Sequence, residues 1–537
     1  MTTSPERKRS PERKRAVDAP TPGGRRQRIA IENFQERNIN PIIVTIDPTK
    51  DHGIWEGWGI SLCWWAAMRW NTPSSDVIAD LTFTLKPNIK FETTSFGTYQ
   101  LPGLGMNIAR YNAGAGGPGM KPTLMKETRK MEGFWDEEHK SPDDWDWRRD
   151  RQQIHMLQEA KKRGANLFEL FSNSPLWWMC HTKNPSGSLS GTKDNLMPEH
   201  YENFARYLVE VAAHAHKAWH IDFEYIAPFN EPSSIWWSMS NPSGQEGCHF
   251  EHLAQAKLVK VIHKVIREEA SMAKDNGLKA VLDNLKIAAS DENTYDQAID
   301  TWDSLDHEAH DTINKINVHG YQKGDGLRHE LHKRAFAGMK RIWTSEYGDS
   351  DETGTQMIKS LILDFNHLHA TAWAYWQILD SGGWGLVQAN AEDNWVGKPN
   401  AKLFVLAHYS RHVRPGMRIL NVKMRSHELN TVAAYSDTEE KLVLVTANQA
   451  HSSRLIKYDL SSFQAASSSA VVRWWSTDID VASVTCGKST EKPTAYIERP
   501  AFELKDTELQ TCFEAWFDFN TIQTFEISGV LQKPHRP

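Results

Sequence analysis

From Gly57 to about residue 405, short apolar runs alternate with stretches of helical period. This alternation limits the folds open to the chain more than any other feature. The strand-like runs fall at 57–67, 107–112, 166–173, 223–229, 285–291, 315–321, 341–346 and 372–377. Helices are expected between them, at 141–163, 200–220 and 250–277 among others. The first of these is opened by Ser141-Pro142, with Asp143 and Asp144 in its first turn, as helix capping favours. Eight strand–helix units over roughly 350 residues match a (β/α)8 TIM barrel with long loops. A doubly wound open sheet is the alternative, disfavoured because no G-x-G-x-x-G or P-loop follows any run.

The pattern changes after about residue 415. Runs such as Leu442-Val-Leu-Val-Thr-Ala-Asn448 and Ala470-Val-Val-Arg-Trp-Trp475 are set apart by Ser, Gly, Asp and Lys, with no long helical period. The expected fold class is therefore α/β, a TIM barrel with a side β-sandwich domain. A chain of 537 residues is also too long for one compact core. The expected division is a disordered basic tail at 1–40, an N-terminal strand at 41–52 joining the sandwich, a catalytic barrel at 53–410 and a β-sandwich at 411–537.

Residues 1–28 hold nine Lys/Arg against three Asp/Glu, including the repeat Ser4-Pro-Glu-Arg-Lys-Arg9 and Ser10-Pro-Glu-Arg-Lys-Arg15. Such composition predicts disorder. It reads as a solvated tail, a misplaced start, or a nuclear-targeting or polyanion-binding arm. The formal net charge of −6 leaves −12 on the remainder, so no nucleic-acid partner is expected for the folded body. No apolar run is long enough for a transmembrane helix, and no membrane partner is expected. Five Cys without a C-x-x-C pair exclude a zinc ribbon and a disulfide-rich scaffold; a Cys486–Cys512 bridge is the expected pairing. A monomer is expected.

In a TIM barrel the chemistry sits at the C-terminal strand ends. There the sequence places Trp64, Arg110, Asn112, Asn173, Asn230, Glu231, His319, Tyr321, Glu346 and Trp376. Asp291 and Glu292 also end a run, but read better as loop or cap residues. No His/Cys cluster has metal-ligand spacing, so no metal or other cofactor is expected. No G-x-S-x-G elbow marks a serine hydrolase. What remains is a carboxyl pair among neutral hydrogen bonders and aromatic rings, which suits glycoside hydrolysis. Glu231 would be the acid/base and Glu346 the nucleophile. Arg110 and Tyr321 would keep Glu346 ionised, and Asn230 would donate to the sugar 2-hydroxyl. The chain has 22 Trp, many in pairs. Trp64-Trp65, Trp177-Trp178 and Trp236-Trp237 split between core filling and sugar stacking, and Trp236 and Trp237 are candidates for substrate binding.

With these residues assembled, the chain resembles glycoside hydrolase family 30. The resemblance is carried by Gly57-Trp-Gly59, Ser172-Asn-Ser-Pro175 with Trp178-Met179, Asn230-Glu-Pro232 and Ser345-Glu-Tyr-Gly348. It implies a retaining glycosidase whose barrel carries a sandwich built from both termini. Ser61-Leu-Cys-Trp-Trp65, Trp236-Trp237 and Gln245-Glu-Gly-Cys-His-Phe250 resemble the fungal endo-β-1,6-galactanases of that family. They imply a polysaccharide partner, the β-1,6-galactan side chains of arabinogalactan. A related β-1,6-glucanase or other β-glycosidase is the alternative. A non-catalytic glycan- or nucleic-acid-binding protein is the reading from another class. The resemblance implies an extracellular location, whereas a genuine basic N-terminus with no apolar leader would imply an intracellular one.

Overall fold

The computed structural model describes residues 40–121, 124–139, 141–239, 244–424, 429–485, 495–509 and 512–534. The basic tail expected at 1–40 thus lies, but for Asn40, outside the described residues, as does Cys486. Cys512 carries a free thiol, and Cys63, Cys180 and Cys248 are buried thiols.

Eight parallel strands close into a barrel in sequence order: Gly57–Ser61, Ile108–Asn112, Leu167–Phe171, Tyr225–Ala227, Lys286–Glu292, Lys315–His319, Arg341–Tyr347 and Ala372–Tyr375. Ala372 to Tyr375 pair with Gly57 to Ile60 and complete the ring. The Gly57-Trp-Gly59 motif has a steric origin. Gly57 sits at φ +142°, and a Cβ there would meet the Asn107 side chain at 1.9 Å. Asn107 uses that space to accept the Trp58 amide hydrogen at 3.0 Å, which ties the first strand to the start of the second.

Two apolar layers hold the barrel. Between strands and helices lies the main core, with Ile60, Tyr111, Leu208, Ile262 and Leu361 fully buried. Inside the barrel a smaller cluster includes Ile108, Phe171, Tyr225, Trp343 and Ala372. The long helix His252–Met272 ends at Ala273, and a second, Asn276–Asn284, starts anew where the Asp275 carboxylate accepts from Leu278 N at 2.7 Å.

The helix expected over 141–163 is shorter and starts later. Ser141 does cap, but it caps a 3-10 turn, Pro142–Asp144, and the α-helix is Arg151–Lys162. Aromatic packing interrupts the run. Trp145 stacks on Trp135 at 4.7 Å and Trp147 on His214 at 3.7 Å. Asp150, in the left-handed region at φ 52°, turns its carboxylate onto Tyr111 Oη at 2.6 Å.

The N-terminal strand Ile42–Ile54 joins the C-terminal segment. It pairs antiparallel with Arg418–Met424 and parallel with Arg454–Asp459, within a nine-stranded sheet. The sheet curls on itself. Phe502 on one edge strand and Phe513 on the opposite edge strand meet at 5.7 Å, around Phe525 and Tyr458. This closure gives the sheet its own apolar core, with Val44, Ile46, Leu444 and Ile527 buried. The buried helix Ala401–Ser410 bridges it to the barrel, with His408 between Thr477 and Thr524 at 2.9 and 2.8 Å.

Candidate active site

At the C-terminal ends of the strands lies a cleft of about 540 Å3, lined by Trp64, Asn230, Glu231, Trp236, Trp237, Tyr321, Glu346 and Trp376 together with residues from the loops. Glu231 follows the fourth strand and Glu346 lies near the end of the seventh. One oxygen of each, with a ring nitrogen of His319, falls within 4.8 Å of the others. The two carboxyl groups have different partners. Glu346 Oε1 accepts from Tyr321 Oη at 2.7 Å, and its Oε2 lies 3.5 Å from Arg110 Nη1. Glu231 Oε1 accepts from Asn293 Nδ2 at 2.8 Å and from His319 Nδ1 at 3.1 Å.

Beneath the pair runs a fully buried polar ladder. Lys315 Nζ and Arg110 Nε bind the two oxygens of Glu169 at 2.7 Å each, and Arg110 Nη2 binds Asp291 Oδ1 at 2.7 Å. Ser345 Oγ also donates to Asp291 at 2.7 Å, and Asn317 Nδ2 lies 3.0 Å from both Glu169 and Asp291. Burial of so many charges is tolerated only because each is paired. Against the upward push of burial, Arg110 drives Asp291 down to about 2. Desolvation works against a charged His319, yet nearby Glu346, Asp291 and Glu231 lift it to about 10, so its ring is cationic at neutral pH. Burial pushes Glu346 upward against the pull of His319 and Arg110, and Glu231 beside it adds to the rise.

The backbone is strained where the cleft is built. Trp64, Glu231 and Asp291 have φ of 68°, 50° and 55°, each costing on the order of 1 kcal/mol. Glu231 is pinned in this conformation by its N–H to Asp291 O at 2.8 Å and by Trp237 Nε1 to its own carbonyl at 2.9 Å. The acidic side chain is thereby aimed into the barrel mouth rather than along the next turn.

The sequence model of O-glycosyl hydrolase family 30 matches residues 41–319. An endo-β-1,6-galactanase of Hypocrea rufa is 40% identical over 515 residues, covering 94% of this chain and 98% of that protein. The chain belongs to glycoside hydrolase family 30. Among solved structures, a conserved exported protein from Bacteroides fragilis aligns with a TM-score of 0.69 at 19% identity, covering 90% of this chain and 100% of that one. The catalytic domain of xylanase C from Talaromyces cellulolyticus aligns with a TM-score of 0.62 at 18% identity, covering 90% and 99%. These two show the shared fold.

In this family 30 chain the residues picked from the sequence fall into three groups. Eight of them line the cleft. Arg110 and His319 lie under it, touching the carboxyl groups from below. Asn112 and Asn173 are buried, and Asn173 Nδ2 faces Cys63 Sγ at 3.7 Å. Asn230 Oδ1 has no hydrogen-bond partner among the described residues, which leaves it able to take a sugar hydroxyl. Asp291, read as a loop or cap residue, instead organises the site; Glu292 ends the fifth strand and caps no helix, accepting from Ser233 N at 3.2 Å and Thr301 Oγ1 at 2.6 Å, while Thr294 caps the helix Tyr295–Ser304. Sequence reasoning missed Arg129, whose guanidinium stacks on Trp64 at 4.5 Å, and Gln245, Asn293, Lys323, Asp380 and Trp384. Asn293 lies two residues past Asp291, so its place just beyond a strand end was a signal that could have found it.

Glu231, His319 and Glu346 are spaced closely enough to hold a cation. A protonated imidazole has no free lone pair, however, and at its raised value His319 acts as the positive member of the trio. In this protonation state the trio forms a hydrogen-bonded carboxyl pair around a cationic ring.

Burial also holds Glu246 and Asp150 up to about 8, and Glu292 up to about 7. A carboxyl raised above its unfolded value of about 4 favours the fold below that value and loses the contribution as pH rises through the folded one. Cationic His319 favours the fold below about 6.5 and loses that contribution as pH rises toward 10. Both act in the same direction. Below about pH 7 the buried neutral histidines, His214, His369 and His408 among them, oppose this trend, because burial lowers them and so favours the fold as pH rises. Melting temperature measured by scanning fluorimetry should therefore fall from pH 7 to 9. A rise over that range would contradict these assignments.

Proposed function

We propose that this family 30 hydrolase is an endo-acting, retaining β-1,6-galactanase, with Glu346 as nucleophile and Glu231 as acid/base. The observation that carries the reading is the closeness of the two carboxyl groups, one oxygen of each lying within 4.8 Å of the other. Retaining enzymes hold the two groups about 5–5.5 Å apart, while inverting ones leave about 6.5–9.5 Å for a water molecule. The substrate is taken from the Hypocrea rufa relative, an endo-β-1,6-galactanase similar along nearly its whole length.

The geometry supports a division of labour. Glu346 Oε2 accepts no hydrogen bond among the described residues, so its lone pair is available to attack the anomeric carbon. Tyr321 on Oε1 and the Arg110 guanidinium near Oε2 stabilise the negative charge before the attack. As the bond to the leaving sugar breaks, Glu231 gives its proton to the departing oxygen. In the second half Glu231 takes a proton from water, which displaces Glu346 from the anomeric carbon. The two inversions restore the original configuration.

A proton inventory favours one acid and one base. The buried set holds three cations, Lys315, Arg110 and His319, against four carboxyl groups, Glu169, Asp291, Glu231 and Glu346. The charges balance when one of the four keeps its proton. Trp64, Trp376, Trp236 and Trp384 supply flat faces around the pair for sugar C–H stacking. All these groups come from one chain, and the enzyme is proposed to act as a monomer.

Digestion of a panel tests this reading: de-arabinosylated arabinogalactan, β-1,6-glucan and xylan, with products sized by chromatography. Short galacto-oligosaccharides should be released from the galactan at a rate at least ~10-fold above that on the other two. Preferential cleavage of the glucan or the xylan would overturn the substrate assignment.

A further inference from the structure

A second concavity, about 600 Å3 in volume, adjoins the catalytic cleft. Both volumes lie in the range of ligand sites, about 300–1,000 Å3. Ser381 borders both. The partition between them is the turn around Gly382 and Gly383, at φ +61° and +81°, closed by Trp384 N donating to Ser381 O at 3.1 Å. A Cβ on Gly383 would lie 2.5 Å from Ser350 O, so only glycine lets the partition sit this low. On its inner side Trp384 faces Tyr321 at 6.0 Å, and its carbonyl is held by Tyr375 Oη at 2.7 Å.

The outer wall is a three-stranded sheet, Leu379–Asp380, Val387–Asn390 and Trp395–Pro399, inserted after the eighth barrel strand. Trp395 lies over Gly397, where a Cβ would come within 2.5 Å of the indole ring. It also meets Phe96 edge-on at 5.7 Å. Thr94 and Val396 exchange two hydrogen bonds of 2.9 Å, which fix this wall to the strand-two side of the barrel. Gln388, Asn390 and Asp393 add amide and carboxylate edges to the lining. A held indole beside planar hydrogen-bonding groups is the chemistry that takes up a pyranose ring, by its C–H face and its hydroxyls.

We propose that this concavity is an outer subsite that holds remote hexopyranosyl units of the same chain being cut, after the chain passes over the Ser381–Trp384 turn. This rests on the reading of the cleft as that of a glycan-cleaving enzyme. It makes chain length a determinant of rate, with Trp395 as the platform.

The test compares Trp395→Ala with the unmodified enzyme on a tetrasaccharide and on the long polymer of the glycan that the panel identifies. Cut at one internal bond, the tetrasaccharide leaves at most three units on either side of the cleavage point, against the many of the polymer. The variant should lose roughly 3- to 10-fold in kcat/KM on the polymer, through KM, and stay within about twofold on the tetrasaccharide. Trp395→Phe, which keeps an aromatic face over Gly397, should recover part of the loss and serves in its place if the Ala variant melts early. Equal losses on both substrates, or no loss on either, would overturn the subsite. Failure of the galactanase reading would show separately, as absence of galactan cleavage by the unmodified enzyme.

Discussion

Glu346→Gln should lose activity on β-1,6-galactan by on the order of 10^4-fold or more, since it removes the atom that forms the covalent bond. The amide keeps the shape of the carboxyl group, and its oxygen can still accept from Tyr321 Oη, now at 2.7 Å. Folding should survive for an electrostatic reason. Three buried cations face four carboxyl groups around the site, so removing one carboxyl leaves no cation unpaired. Melting temperature should therefore shift by only a few degrees. A variant that melts far below the parent would show that Glu346 holds the ladder together rather than performing chemistry. Near-parental rates with intact folding would reject it as the nucleophile.

Glu231→Gln should behave differently, because general acid help matters in proportion to how poor the leaving group is. On galactan, whose leaving group is a sugar alcohol, the loss should be about 10^2- to 10^4-fold. On an aryl β-galactoside-type oligosaccharide with a nitrophenol leaving group, the first step needs little protonation. The glycosyl-enzyme should then form quickly and hydrolyse slowly, because the water has lost its base. Stopped-flow release of nitrophenol should show a burst followed by a slow steady state. Equal losses on both substrates, with no burst, would remove Glu231 from the acid/base role. Asn293 and His319 both donate to Glu231 Oε1, so the glutamine is best placed with its carbonyl oxygen toward them, and the ring can stay in position.

The barrel was legible because each strand is buried by covering helices and so reads as a short, nearly continuous apolar run. The pair Glu231 and Glu346 was legible because both stand at strand ends. The ladder below them was not. Glu169, Lys315 and Asn317 sit inside strands that pass for apolar, and their charges meet only when the sheet closes and brings residues 146 positions apart to 2.7 Å. Asp291 was passed over for the same reason. A carboxyl at a strand end looks like a cap until its partners, Arg110 and Ser345, arrive from the second and seventh strands. The capping signal at Ser141-Pro142 was real, but local propensity could not show that Trp145 and Trp147 pack into an aromatic cluster that breaks the helix before Arg151. Arg129 comes from a single 3-10 turn, Asp380 from a two-residue strand and Trp384 from a turn, all too short for any periodicity to announce them.

The carboxyl separation makes one claim about stereochemistry that does not depend on substrate affinity or on the behaviour of any variant. Proton NMR can follow the anomeric signals of the reducing ends released from β-1,6-galactan during the first minutes of digestion, before mutarotation mixes them. Double displacement predicts that the β-anomer appears first and the α-anomer grows in later. Initial release of the α-anomer would contradict the nucleophilic role of Glu346 and the account built on it.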